Sequence, residues 1–305
     1  AARTATKPPT TTTTTIVPPA GCTPEEKAAF DPLATVAPDV PLAPGQLPDG
    51  PTMQKIRTRG RLVVGVDENT PNFGVRDDNG QLVGLEIDLV RELARAIWPD
   101  DPGDIDRRIK WVTVVTEQKV PYVHDGKVDL TASVVTIDCD RSKQVAFSSA
   151  YFTTPQRVMV SIDSPIQTIA DLGDKKVCAT AGSSTIALLE NVGARPVPVE
   201  ARTDCLVKLQ DGKVDAIATH DTILFGLHQQ DAATTRIVPD DLSPGKPSNY
   251  GVALPHDDVA FASFVNGELQ RMRVDGRLAD LYERWLRSKG YEPPPIPDPH
   301  YRGEP

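Results

Sequence analysis

Residues 125–132 read DGKVDLTA, and residues 211–218 read DGKVDAIA. In each copy a segment with helical periodicity, at 121–124 and 203–210, ends at Asp-Gly, where glycine supports the left-handed conformation that closes a helix. The Lys-Val-Asp that follows leads into a buried strand in both places. This recurrence predicts two similarly built units; the alternative is a common helix-to-strand turn that arose twice by chance.

Strands and helices alternate on either side of the first copy. Apolar runs typical of buried strands lie at 61–66 and 110–115, with a helical segment at 86–97 between them. Further strand-like and helical segments follow the second copy, at 250–254, 257–274 and 276–287. The alternation predicts mostly parallel sheets covered by helices on both faces, so the predicted fold class is α/β.

The two ends of the chain differ in composition from the rest. Residues 1–50 contain many prolines and an unbroken threonine run from Thr10 to Thr15, which predicts a flexible, solvated tether. Residues 291–305 are rich in proline, which predicts a tail extended over the surface. No signal peptide is visible, so we expect a mature or trimmed form whose export signal or lipid-anchoring cysteine lay upstream.

Length, composition and charge narrow the classes of function. A chain of 305 residues can form two domains that each bury a core. With 39% hydrophobic and 25% charged residues it is typical of a soluble globular protein, and no apolar run approaches the roughly 18 residues of a membrane span. The formal net charge of -9, without a basic stripe, argues against nucleic-acid binding.

The cysteines indicate an oxidising compartment. Cys22, Cys139, Cys178 and Cys205 lack the short CxxC spacing of a zinc site or a redox motif. Four cysteines allow two disulfides with three possible connectivities, and spacing does not choose between them.

Several longer segments resemble one known family, the family 3 extracellular solute-binding proteins that serve polar amino-acid ABC transporters. The resemblance runs collinearly over residues 59–286. It is carried by GRLVVGVDENTPNFGVRDDNGQLVGLEIDLVRELA (60–94), GKVDLTASVVTIDCDRSKQVAFSSAYF (126–152), VCATAGSST (177–185), THDTILFGL (219–227), NYGVALP (249–255) and DGRLADLYERWL (275–286).

The resemblance implies a type II periplasmic-binding-protein-like fold, in which two α/β lobes joined by two hinge strands close over a ligand in the cleft between them. Lobe one would comprise residues 51–152 plus 249–290, and lobe two residues 153–248. The resemblance further implies a monomeric, extracytoplasmic receptor without cofactor or metal, which delivers a small polar amino acid to a membrane permease.

A buried amino-acid zwitterion needs a cation for its carboxylate and an anion for its ammonium group. The resemblance assigns the carboxylate to Arg141, whose planar fork suits bidentate binding. It assigns assisting contacts to Thr136 and a backbone carbonyl to Val134. On the other lobe it assigns Ser184, at a helix start that favours an anion, and Asp221 for the ammonium group. The alternative for Asp221 is the N-cap of the helix that starts there.

The ligand's side chain remains open among Glu, Asp, Asn and Gln. Residues 68–72 lack the aromatic clamp common in relatives that bind glutamine or aromatic solutes, whereas residues 116–126 resemble the glutamate/aspartate receptors. The resemblance places Lys119, Arg202 and Thr116 at the side-chain end. Those receptors use Arg and His at the two basic positions, so Lys119 and Arg202 depart from their pattern.

By resemblance to actinobacterial relatives, we expect the disulfides Cys178–Cys205 within lobe two and Cys22–Cys139 between the tether and lobe one. The alternative for Cys22, lipidation after Ala-Gly, conflicts with the polar residues before it. Two rival functions are a sensor that signals to a membrane partner and an enzyme on the same fold, such as the cyclohexadienyl dehydratases. For the enzyme, Glu117 and His220 are the candidate acid and base.

Overall fold

The computed structural model describes residues 21–37, 47–101 and 103–302. None of the helices in these ranges combines the length and the apolar character needed to cross a bilayer. The helices are α1 (Pro24–Ala29), α2 (Pro51–Arg59), α3 (Leu85–Ile97), α4 (Pro121–His124), α5 (Cys139–Ser142), α6 (Thr185–Asn191), α7 (Arg202–Gln210), α8 (Asp221–Gln230), α9 (Val259–Val274) and α10 (Arg277–Trp285). Short 3₁₀ helices lie at Ile105–Arg108, Thr116–Gln118, Ile169–Leu172 and Arg287–Lys289.

The strands are short and mostly buried. They are β1 (Ala34–Val36), β2 (Leu62–Val66), β3 (Asn69–Thr70), β4 (Gly74–Arg76), β5 (Leu82–Val83), β6 (Ile109–Thr113), β7 (Leu130–Thr131), β8 (Val145–Phe147), β9 (Phe152–Thr154), β10 (Gln156–Ser161), β11 (Lys176–Thr180), β12 (Arg195–Val199), β13 (Ala216–His220), β14 (Thr235–Val238), β15 (Ser248–Tyr250), β16 (Ala253–Pro255) and β17 (His300–Arg302).

Two five-stranded sheets share one arrangement. Their orders are β6-β2-β7-β16-β8 and β12-β11-β13-β10-β14, with the first three strands parallel and the fourth antiparallel to the third. The repeated sequence leads into β7 and β13, which occupy equivalent places. Gly126 and Gly212 end the preceding helices in the left-handed conformation, with φ of 66° and 65°. The prediction of two similarly built units is therefore confirmed.

The sheets are mixed rather than mostly parallel because the chain passes between them twice. Strands β9 and β15 form a separate antiparallel pair, with Phe152 opposite Tyr250. The chain leaves β9 for β10 and leaves β15 for β16, so each sheet receives one strand in the reverse direction. The predicted lobe boundaries, after residues 152 and 248, fall within these two crossing strands.

The N-terminal segment is folded where it is described. The prediction that residues 1–50 form a solvated tether is wrong for residues 21–37. Thr23 caps α1, and β1 pairs in parallel with β17. The buried Asn266 amide donates to Thr35 Oγ1 over 2.9 Å and to the Val36 carbonyl over 2.7 Å. We call residues 21–37 the arm; residues 1–20 and 38–46 lie outside the described part of the chain.

The proline-rich tail, expected to be extended over the surface, is extended where it is described and also takes part in the fold. Its strand β17 pairs with the arm. Tyr291 is buried, and the Arg273 guanidinium donates to the Pro297 carbonyl over 3.2 Å. The tail therefore connects the arm to helix α9.

Both expected disulfides are present. Cys22–Cys139 links the arm to helix α5, and Cys178–Cys205 links strand β11 to helix α7. Since the Cys22 sulfur is bonded to Cys139, it is not available for lipidation.

Candidate ligand-binding site

A pocket lies where the parallel strands of the two sheets end. Carboxyl ends of parallel strands are the usual place for ligands in α/β folds. The space between the atoms of the pocket amounts to about 330 Å³, which includes the part open to solvent. Its lining combines hydroxyl groups with cationic side chains, contributed by Thr116, Lys119, Val134, Thr136, Arg141, Thr180, Ser183, Ser184, Thr185, Arg202, Thr219 and His220.

Seven of the eight residues predicted for the ligand line this one pocket. They are Thr116, Lys119, Val134, Thr136, Arg141, Ser184 and Arg202. The first five follow strands of the first sheet, and the last two follow strands of the second. The structure therefore brings together groups that are up to 86 residues apart in the sequence.

Arg141 reaches across the cleft from the short helix α5. The Asp138 carboxylate caps this helix by accepting from the Arg141 backbone N–H over 2.9 Å. The guanidinium donates to the Thr136 carbonyl over 2.9 Å and, on the other side, to the Gly182 carbonyl over 3.3 Å. Since Gly182 follows strand β11 of the second sheet, Arg141 bridges the two sheets.

Asp221 is the predicted residue that the structure does not bring into the pocket. One carboxylate oxygen lies 3.2 Å from Arg157 Nη1, and the other accepts from the Tyr291 hydroxyl over 3.0 Å. Both oxygens thus have partners in the protein, and Asp221 is not among the residues that line the pocket, so its assignment to the ligand's ammonium group stays a prediction. The alternative fails, because His220 is the N-cap and Asp221 is the first residue of α8.

Asp67 is a buried carboxylate beside the pocket that the sequence analysis missed. It accepts from the Arg202 guanidinium of the second sheet, and its other oxygen accepts from the Asn69 N–H over 2.7 Å. Burial by itself would raise the pKa of Asp67, but the positive charges of Arg202 and Lys119 outweigh it, and the pKa is lowered. Its place directly after the buried strand β2 was the available signal.

Lys119 and Glu86 are fully buried charged side chains near this carboxylate. Lys119 Nζ lies 3.9 Å from Asp67 Oδ2. Burial, followed by the positive charge of Arg202, lowers the pKa of Lys119 to about 7. Burial raises the pKa of Glu86 to about 7, although Glu86 accepts hydrogen bonds from the Tyr151 hydroxyl and the Val134 N–H. A buried ionisable group perturbed in this way is typical of a functional site.

His220 lies against the pocket as a neutral side chain. Its Nε2 is 3.4 Å from Thr136 Oγ1, and its ring meets the Tyr250 ring edge to face at 5.0 Å. Burial, followed by the positive charges of Arg202, Lys119 and Arg141, lowers the pKa of His220 to about 3. At neutral pH the imidazole therefore carries no charge.

The hydroxyl groups of the second sheet were found only in part. Ser184 was predicted, whereas Thr180, Ser183, Thr185 and Thr219 were not singled out. Each of them belongs to a quoted segment, so their clustering at the ends of β11 and β13 was the available signal. The described residues contain no group of three or more His, Cys, Asp or Glu side chains that could hold a metal ion.

Comparison with known proteins shows which proteins this chain is similar to. The profile of the bacterial extracellular solute-binding proteins, family 3, matches residues 62–288. The chain is 27% identical to the ABC transporter glutamine-binding protein GlnH of Bacillus subtilis over 243 residues, which are 77% of this chain and 85% of that protein. It is 30% identical to the glutamate-binding protein GluB of Corynebacterium efficiens over 223 residues, which are 71% and 76% of the two chains.

A solved structure agrees with the fold. A mutant of ArgBP from T. maritima matches with a TM-score of 0.70 and 29% sequence identity, over 77% of this chain and 98% of that one. The two sheets, the two crossing strands and the pocket between the strand ends give the same two-lobed architecture. The chain therefore belongs to family 3 of the bacterial extracellular solute-binding proteins.

Proposed function

We propose that this chain captures one acidic amino acid, glutamate or aspartate, in the pocket between its two sheets and delivers it to an ABC importer. The charge balance of the pocket is the observation that carries this proposal. Three cationic side chains, Lys119, Arg141 and Arg202, face two buried carboxylates, Asp67 and Glu86, among the described residues. Glutamate and aspartate carry a net charge of about -1 at neutral pH, and their amides carry none.

The excess positive charge of the pocket is the same whether a given proton is bound to Lys119 or to Glu86. Lys119 and Glu86 both have a pKa of about 7, so a proton that leaves one of them can be held by the other without changing their summed charge. Arg202 is compensated by Asp67, with which it is paired. Among the described residues, Arg141 is then balanced only by Asp138, 3.3 Å away and partly exposed, so solvent screens that pair. An anionic ligand would supply the missing buried charge.

The proposed contacts follow from this balance. Arg141 would bind the α-carboxylate through its planar fork, with help from the Thr136 and Ser184 hydroxyls. Lys119, Arg202 and Thr116 would bind the side-chain carboxylate. The Val134 carbonyl would accept from the ammonium group.

We propose a binding protein rather than an enzyme or a sensor. At neutral pH an imidazole with a pKa of about 3, that of His220, is a weak base. Glu117 is exposed and is not among the residues that line the pocket. The names of the GlnH and GluB relatives describe binding proteins, and that of GlnH an ABC transporter, which supports import over sensing.

The same reasoning gives the location and the partner. We propose that the chain acts as a monomer outside the cytoplasm, tethered at the cell surface through the segment that precedes the arm, with a membrane permease as its partner. The two disulfides support this location because such bonds persist in oxidising compartments. Cell fractionation tests the tether: recovery of all the protein in the culture medium would contradict it.

Isothermal titration calorimetry of the full chain against Glu, Asp, Gln, Asn and Arg tests the function. We expect Glu or Asp to bind most tightly, and Arg141→Ala to lose roughly 2–5 kcal/mol of binding free energy because one partner of a buried charge pair is removed. Arg195→Ala is the matched control, since Arg195 pairs with Asp174 on the surface. Tighter binding of an amide would overturn the acidic ligand, and no binding of any amino acid would overturn the function.

A further inference from the structure

Val134 has a backbone conformation that its side chain disfavours. It lines the pocket with a φ of 44°, in the left-handed region. The other non-glycine residues with positive φ in the described part of the chain are Asn72 and Asp174, residue types that tolerate this region. A β-branched residue there is a conformational outlier, and such outliers persist only where the surroundings hold them in place.

The Glu86 carboxylate contacts the Val134 backbone. The Val134 N–H donates to Glu86 Oε1 over 2.6 Å, and the Tyr151 hydroxyl donates to the same oxygen. Glu86 and Tyr151 are both fully buried. Burial, followed by the negative charge of Glu86, raises the pKa of Tyr151 well above its ordinary value, so the hydroxyl keeps its proton and remains a donor.

The position of Glu86 is itself fixed by backbone contacts. Glu86 lies in the first turn of α3, where the Leu85 and Glu86 N–H groups donate to the Asn72 and Phe73 carbonyls over 2.8 and 3.1 Å. A Cβ atom on Gly84, the residue before the helix, would lie 2.2 Å from the Phe73 carbonyl oxygen. The start of α3 therefore packs directly against the 72–73 backbone, which leaves the carboxylate little freedom.

We propose that Glu86 is a positioning residue for ligand binding: it holds the Val134 peptide in the left-handed conformation and thereby shapes the pocket. The proposal rests on the proposed function, because Val134 is one of the residues assigned to the ligand. A buried carboxylate contributes little net stability compared with an apolar side chain of the same size. Its presence beside a strained pocket residue is explained if it maintains that residue's geometry.

Two substitutions separate the hydrogen-bond acceptor from the charge. Glu86→Gln keeps a carbonyl oxygen that can accept from Val134 and Tyr151, whereas Glu86→Ala removes it. We expect Glu86→Ala to raise the Kd for glutamate about tenfold, the effect of losing a buried hydrogen bond to a charged group. Glu86→Gln should retain most of the affinity. Equal weakening by both variants would overturn the positioning role in favour of a purely electrostatic one.

A double-mutant cycle tests the link to Val134. Glycine adopts a φ of 44° without strain, so Val134→Gly removes the need for the Glu86 contact. We expect Val134→Gly to restore part of the affinity in the Glu86→Ala background, a non-additive result. Strict additivity would overturn the proposal. Glu268→Ala is the matched control, because Glu268 is also a buried carboxylate but pairs with Arg271 and Arg277 in α9 and α10; it should lower stability and leave the affinity unchanged.

Amide hydrogen exchange tests the contact between Glu86 and Val134 without any ligand. In the ligand-free protein we expect the Val134 amide to be protected in wild type and Glu86→Gln, and to exchange faster in Glu86→Ala. Unchanged protection in Glu86→Ala would overturn the positioning role. If wild type binds no acidic amino acid while the Val134 amide behaves as expected, the proposed function fails and the link between Glu86 and Val134 stands.

Discussion

Several ionisable side chains around the pocket are buried, although charged side chains of folded proteins are normally exposed to water. Four of these side chains are less than 10% exposed, namely Lys119, Glu86, Asp67 and Arg202. The Asp67 carboxylate pairs with Arg202 and lies 3.9 Å from the Lys119 ammonium. Each buried charge costs several kcal/mol unless partners compensate it. The cluster therefore makes the stability of the protein sensitive to pH and to substitution at these positions.

The buried His220 makes the free energy of unfolding decrease as the pH falls. Its pKa is lowered from 6.5 to about 3 in the folded state, so below pH 6.5 the unfolded chain binds a proton that the native state does not. The stability that His220 contributes is thus present above pH 6.5 and is lost as the pH falls towards 3. Between pH 6.5 and 4.5 the loss is about 2 to 3 kcal/mol.

Urea unfolding at several pH values measures this effect. We expect His220→Gln to remove that part of the pH dependence, whereas wild type and His256→Gln should keep it. His256 is an exposed histidine paired with Asp257 and serves as the matched control. An identical slope in wild type and His220→Gln would show that the buried imidazole does not resist protonation.

Lys119 should determine whether the pocket prefers glutamate or its amide, glutamine. Lys119→Met removes the ammonium group and its burial cost together, so the variant is expected to fold. We expect the affinity for glutamate to fall about tenfold more than the affinity for glutamine, because only glutamate loses a charged partner. Lys110→Met, at an exposed position of β6, is the control. Equal losses for both ligands would place Lys119 at the backbone end of the ligand instead.

The sequence motifs predicted most of the residues that line the pocket but not the buried carboxylate of Asp67 beside it. Arg141, Thr136 and Val134 follow from one short motif, since all three lie within residues 134–141. Asp221 is not the N-cap, because the helix begins one residue earlier than a cap at Asp221 would require, and its partner Tyr291 lies 70 residues away. Asp67 was accessible to prediction because it directly follows a buried strand.

Among the elements, those with a strong local pattern were predicted well. Helix α3 was expected at 86–97 and runs over Leu85–Ile97, and β2 was expected at 61–66 and runs over Leu62–Val66. The arm was missed because threonine and proline dominate the composition of residues 1–50. Its strand β1 has three residues and depends on β17, 266 residues away, so no local signal could reveal it.

The arm supports the helix that carries Arg141. Helix α5 has four residues, too few to be stable alone. On its outer side it is held by the Cys22–Cys139 disulfide and by Lys27, whose ammonium lies 2.8 Å from the Asp140 carboxylate. The arm thus connects an element outside the two lobes to the geometry of the pocket.

We therefore expect Cys22→Ser/Cys139→Ser to weaken glutamate binding severalfold, as measured by calorimetry. The unfolding free energy should also fall, by at most about 5 kcal/mol for a disulfide that spans 117 residues. Lys143→Ala is the control, because it removes only the exposed Lys143–Glu26 pair between arm and helix. Wild-type affinity in the disulfide variant would show that α5 keeps its geometry without the arm.

At the scale of the whole molecule, the two sheets meet across the pocket in a closed arrangement. Arg141 reaches the Gly182 carbonyl, Arg202 pairs with Asp67, and Thr136 contacts His220. Each of these contacts joins a residue near one sheet to a residue near the other. Since the chain crosses between the sheets only at β9 and β15 in the described part, we expect rotation about this pair to open the pocket.

Gly182 allows a test of closure. Its φ is 69°, and a Cβ atom there would lie 2.6 Å from Glu117 Cγ, which belongs to the opposite side of the cleft. Gly193 has a φ of 73°, and a Cβ there would have no described atom within 4 Å. Alanine at either position costs about 1 to 2 kcal/mol in the left-handed conformation. Gly182→Ala alone adds an obstacle between the two sides of the cleft.

We expect Gly182→Ala to bind glutamate more weakly than Gly193→Ala does, although both lose similar stability. In saturating glutamate, small-angle X-ray scattering should give Gly182→Ala a larger radius of gyration than wild type. Adding Glu117→Ala should restore both closure and affinity, because the remaining Glu117 atoms lie 3.5 and 3.6 Å from the new Cβ, an ordinary contact distance. If the second substitution restores neither, the loss arises from the strained backbone at Gly182 and closure does not bring these two residues together.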